Sequence, residues 1–259
     1  MKPLVNALIG LKERIRPEFR ETVEELFNQN YETEILNPIY GESKNINSTE
    51  NAGYYIFCLS EGKDLLNMWN YYVKNGNYQG YNICFTIGRL VKCLERINIS
   101  NMRVFYGQVL YTEKEQMNAL QMMLMELNDE YVGQYELTQN KEQALWEIGL
   151  KVHNYINDYK LFYKNEAFAG EREYRFVIKL PGDYESREQQ ELKMGFAIKN
   201  GVITPCCEIV LDPMETVNSI TIAPIMEKGL AETGLRRFLM MHHYKPRLQI
   251  EASSIPIRY

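Results

Sequence analysis

The hydrophobic positions of the chain change period several times, and each change marks an element. Arg16-Pro17 opens a helix, because proline at a first helical position gives up an N–H that has no helical partner there. Phe19, Val23, Leu26 and Phe27 follow at helical spacing. Gly41 to Gly53 is rich in Asn, Ser and Glu, has no period and reads as a loop. Tyr54 to Leu59 is an apolar run rich in aromatics and predicts a strand. Ser60 is then placed to cap a helix whose apolar face is Leu65, Met68, Trp69 and Tyr72, with Asn75-Gly76 as its stop.

Tyr81 to Ile87 predicts a second strand, Leu90 to Ile97 a short helix, and Val104 to Tyr111 a third strand. Two longer helical patterns follow, one on Met117, Leu120, Leu124 and Leu127, the other on Leu145, Ile148, Val152, Tyr155, Tyr159 and Phe162. The polar stretch Asn128 to Asn140 is expected to connect them. Arg172 to Leu180 alternates as a strand. Asn200-Gly201 between two apolar runs is a hairpin signal, since both turn residues must take positive φ. Ser219 to Ala223 and Leu248 to Ala252 are strands around a helix over Glu227 to His243.

This order predicts an α+β fold with a mixed, partly antiparallel sheet and several packed helices. The 259 residues fit one large domain, and no internal repeat or composition break demands a second. The expectation is a single domain over 1–259.

Composition narrows the function classes. Apolar residues make up 45% and charged residues 24%, so the chain can build an ordinary core. The net charge of -5 and a pI near 5.5 argue against a nucleic-acid partner, which calls for a basic face. Cys58, Cys84, Cys93, Cys206 and Cys207 are odd in number and show no metal-knuckle spacing. Cys58, Cys84 and Cys206 lie in apolar runs, where a free thiol acts as a small core residue. With no bilayer-length apolar run and no secretory signal, the expected place is the cytoplasm, away from membranes. The adjacent His242 and His243, and the lone His153, read as non-catalytic. The P-loop, Rossmann, zincin and α/β-hydrolase motifs are absent from the sequence.

Several constellations carry candidate chemistry. On one strand, Glu171, Glu173 and Arg175 would share a face, since residues two apart point the same way. A carboxylate there could steady an oxocarbenium-like sugar cation, or the three could be an ion-pair ladder. Ser60 stands at a strand-to-helix junction, where it could present a phosphate site or simply cap a helix. Trp69 and Tyr71 could stack on a base, although helical spacing puts Trp69 in a core-like set. Arg258 could fork onto an anionic ligand or pair with a glutamate to hold the tail.

Four segments resemble a bacterial domain-of-unknown-function family, the one numbered twenty-nine seventy-one. They are Phe57-Cys58-Leu59-Ser60-Glu61 with Met68-Trp69-Asn70-Tyr71-Tyr72; Gly80 to Phe85; Phe168 to Arg175; and Ser254-Ile255-Pro256-Ile257-Arg258, preceded by Ile220 to Pro224. The resemblance covers 54–259 as an α+β core and leaves 1–53 as a divergent helical and loop segment. Members open with a histidine-tyrosine-threonine type strand that 1–53 does not show, so the family's site is incomplete here or the chain is a shortened form. Some members resemble, in motif order, enzymes that transfer ADP-ribose from NAD. Two functions are expected, the first from the lack of any recognised catalytic motif and the second from the resemblance. One is a binding or regulatory module of a bacterial defence or stress locus, without cofactor, taking a small anionic ligand or a protein partner. The other is an NAD- or nucleotide-acting transferase with Glu171 or Glu173 as its carboxylate and Ser60, Trp69, Tyr71, Arg175 and Arg258 around the ligand.

Overall fold

The computed structural model describes residues 2–30, 53–72, 79–182, 184, 192–199, 201–224 and 227–256. The expected loop over 41–52, the Asn75-Gly76 stop, Asn200 and Arg258 lie outside the described residues. The helices are α1 (Lys2–Gly10), α2 (Pro17–Asn30), α3 (Leu66–Tyr72), α4 (Ile87–Glu95), α5 (Glu113–Thr138), α6 (Lys141–Tyr159), α7 (Pro213–Thr216) and α8 (Lys228–Met241). The strands are β1 (Gly53–Ser60), β2 (Tyr81–Phe85), β3 (Arg103–Gln108), β4 (Glu173–Leu180), β5 (Lys193–Lys199), β6 (Val202–Glu208), β7 (Val217–Ile222) and β8 (Gln249–Ala252). The fold is α+β. Two three-stranded sheets have the orders β1-β4-β3 and β2-β7-β8, and β5-β6 is a hairpin. The pairs β1–β4, β2–β7 and β5–β6 are antiparallel, while β7–β8 is parallel.

The chain divides into two compact units, one of Met1–Asn45 with Gln108–Ala169, the other of Ile46–Gly107 with Gly170–Tyr259. The first unit is helical. Ala7, Phe19, Val23, Leu124, Ile148 and Val152 are fully or almost fully buried in one core built from α1, α2, α5 and α6. Each of these side chains larger than Ala7 contributes about 1.5–3 kcal/mol relative to exposure.

The polar stretch 128–140, expected as a connection, is helix through Thr138. Two of its residues explain why. Asn128 is buried and its Oδ1 accepts the Arg16 backbone N–H at 2.8 Å, just ahead of α2. Tyr131 is buried and stacks on Phe19. The helix starts in a capping box, Thr112 with Glu115, and ends at Gln139 with φ 54.

In the second unit, one core joins Phe176, Ile178 and Leu180 of β4 to Leu90 and Leu94 of α4. Another joins Val217, Ile220 and Ile222 of β7 to Ala231, Leu235 and Leu239 of α8. The hairpin forms as its turn signal predicts, with Gly201 at φ 80. At its base Met194 and Cys207 pack into the first of these cores. Toward its tip Phe196, Ile198 and Ile203 stand 76%, 80% and 70% exposed.

Candidate functional site

Two of the resemblance segments meet on β1 and β4. The register puts Ser60 opposite Glu173 and Cys58 opposite Arg175. These four therefore share one face of the sheet, and Tyr174, Phe176 and Ile178 take the other. The strand begins at Glu173, one residue later than its alternation predicts. Arg172 takes φ 47, a left-handed conformation that interrupts the extended chain. Glu171 ends a 3-10 turn, Glu166–Glu171, so it does not line up with Glu173 and Arg175 as two-residue spacing suggests.

Glu173 is buried, and both its oxygens are held by Arg175: Nε donates to Oε1 at 2.9 Å and Nη2 to Oε2 at 3.0 Å. This forked pair, with the two side chains 14% and 7% exposed, is one of the strong ion-pair geometries. It also raises the guanidinium pKa against the opposing effect of desolvation. Beside the pair, the Cys58 thiol is pushed up to about 11, first by desolvation and then by hydrogen bonding to Glu173. Cys58 is nonetheless exposed as a residue, which corrects the expectation that it fills the core; the sheet crowds its sulfur without covering the side chain. Cys84, Cys93, Cys206 and Cys207 are half-buried.

Ser60 does not cap a helix. It ends β1, six residues before α3, and its Oγ donates to the Glu171 carbonyl at 2.8 Å while accepting the Gly62 N–H at 3.3 Å. It ties the β1 exit to the β4 entry.

Trp69 of the first segment and Ser254 of the last meet at Asp64. Oδ1 accepts the Trp69 indole N–H at 2.8 Å and the Ser253 hydroxyl at 2.7 Å; Oδ2 accepts the Ser254 N–H at 2.8 Å. Desolvation pushes the Asp64 pKa up, but these hydrogen bonds outweigh it and hold it below the ordinary carboxylate range. Trp69 is thus buried and engaged, while Tyr71 on the same helix is 69% exposed. Tyr72, placed by its spacing on the apolar face of α3, is exposed as well. Arg258 lies outside the described residues.

A concavity of this unit lies elsewhere. A pocket of about 520 Å³ opens on the opposite face of the β1–β4 pair, walled by Phe176 and Ile178, Leu90 and Leu94, and residues 204–207 of β6. Tyr54 and Tyr55 line it; Ser60, Trp69, Tyr71, Glu171, Glu173 and Arg175 do not. The missed signal lies in the other parity of β1 and β4 and in the hairpin, whose contribution depends on pairing distant in sequence.

Residues 68–176 match the model of a family described as Protein of unknown function (DUF2971). It is the family that the four segments resemble, and the matched stretch runs from α3 to the middle of β4. No curated protein and no solved structure matches the chain. No helix among the described residues is long and apolar enough to cross a membrane, and no group of three or more His, Cys, Asp or Glu that could hold a metal occurs among them.

Proposed function

We propose that the β-rich unit is a non-catalytic binding module and that its ligand occupies the pocket between β1, β4, α4 and the hairpin. The carrying observation is the pocket's size and lining. About 520 Å³ is within the range of small-molecule sites, and its walls are mostly apolar with a few polar groups, as such sites are. Phe176 and Ile178 form its floor from a buried stretch of β4. The module reading extends to a regulatory role in a bacterial defence or stress locus, where a bound molecule acts as a signal.

The ADP-ribosyl-transfer reading, with NAD as cosubstrate, draws less support. A catalytic carboxylate must face its substrate, yet both Glu173 oxygens bond to Arg175, and that face is turned away from the pocket.

The test uses Nile red, an uncharged apolar dye, with the whole chain. Saturable binding is expected, one dye per chain, and it should be lost in Ala197→Trp and in Thr204→Trp, which fill the pocket from the hairpin. Dye binding that persists in both folded variants sinks the reading. NAD consumption by the wild type that disappears in Glu173→Gln would replace it with the transferase.

A further inference from the structure

Resting on the pocket reading, we infer that the ligand is an amphipathic monoanion, an aliphatic carboxylate whose chain lies on Phe176 and Ile178 and whose head meets Lys199. Among the described residues, the lining holds one charged side chain, Lys199, and no Asp or Glu to balance it. The other lysine of β5 is differently placed: Lys193 pairs with Glu208 across the hairpin, whereas the register partner of Lys199 is Val202.

A cation beside an apolar cavity is complemented by an anion whose remaining atoms are apolar. The lining further restricts the class. Among the described residues it contains no Arg, no His, and no Asn or Gln. A phosphate ester is usually recognised by forked guanidinium groups or by several N–H donors at a helix start. Here α4 offers Leu90 and Leu94 from its middle and end, not its first turn. A nucleotide also needs carboxylate or amide groups for its ribose hydroxyls and base edges. The Lys199 ammonium suits a single carboxylate head.

The experiment compares dodecanoate, dodecanol and dodecylammonium, each below its micelle concentration, by displacement of Nile red from the whole chain. Dodecanoate is expected to bind about tenfold more tightly than dodecanol, with dodecylammonium weakest, since a charge-assisted contact is worth about one decade. Lys199→Glu should erase the preference for the carboxylate, and Lys199→Arg should keep it. Equal binding of dodecanoate and dodecanol by the wild type overturns the head-group inference but leaves the pocket. Failure of all three to displace the dye also overturns it, and failure of the dye itself to bind removes the pocket reading beneath it.

Discussion

The two faces of the β1–β4 pair are made by the same sixteen residues, read at alternate positions. One face carries Ser60, Cys58, Glu173 and Arg175, closed on one another by a forked ion pair. The other carries Phe57, Phe176 and Ile178 and opens on a cavity. Charged residues are the usual markers of a site, yet here they are the saturated ones. A buried carboxylate with both oxygens engaged has little capacity left for a substrate, while an apolar wall with empty space in front of it loses dispersion contacts that a ligand restores. The contrast teaches that unusual charge in a strand marks function only when some of its bonding is unspent.

The largest expected effect tests the closed face. Arg175→Met leaves the Glu173 carboxylate buried without its main partner and should destabilise the chain by about 3–5 kcal/mol in urea unfolding. The double variant Glu173→Gln with Arg175→Met should recover much of that loss. A single-variant cost near zero would mean that the pair is solvated and the closed description wrong. On the open face, Ile178→Ala should cost about 2–3 kcal/mol, the low side for such a truncation, because the side chain already borders a void. The same variant should keep the dye site and widen its tolerance to longer chains, measured as relative affinity for a series of carboxylates.

Asp64, just beyond β1, gives the next effect. Asp64→Asn should cost about 1–2 kcal/mol at neutral pH, through weakened hydrogen bonds from Trp69, Ser253 and Ser254. Its carboxyl is held below the ordinary range, so the stabilisation is complete above the unfolded value of about 4 and fades as pH falls through the lower folded value. The wild type and the Asn variant should therefore converge in melting temperature as the solution is acidified from pH 5. A constant gap would remove the assigned cause. The smallest effect is chemical. With its thiol pushed up to about 11, Cys58 should alkylate more slowly at pH 8 than an unperturbed exposed cysteine, followed peptide by peptide in the mass spectrum. Glu173→Gln removes an anion that favours the protonated thiol and should speed that reaction.

Much of the element order was legible from local pattern. The hairpin followed from Asn200-Gly201, α2 from Arg16-Pro17, and β1 from its aromatic run. The misreadings share a cause. Asn128 to Asn140 looks like a connection because its residues are polar, but Asn128 bonds a backbone N–H more than a hundred residues away and Tyr131 stacks on Phe19. The Thr112–Glu115 box marks where that helix begins, and nothing local marks where it stops short of the polar stretch. Ser60 has the chemistry of a cap, but its partner is the Glu171 carbonyl, reached only once β1 pairs with β4. Glu171 falls out of the candidate face because Arg172 turns left-handed, which a residue other than glycine seldom announces.

What the sequence alone determined was most of the elements and the parity of the paired strands β1 and β4, because helix and strand periods are written in side chains three or four, or two, positions apart. That parity already set Glu173 and Arg175 against Phe176 and Ile178. Only the tertiary structure decided which parity meets a cavity. The pocket is walled by strands, a helix and a hairpin from separate stretches of chain, and empty space between elements leaves no trace in the residues of any one of them.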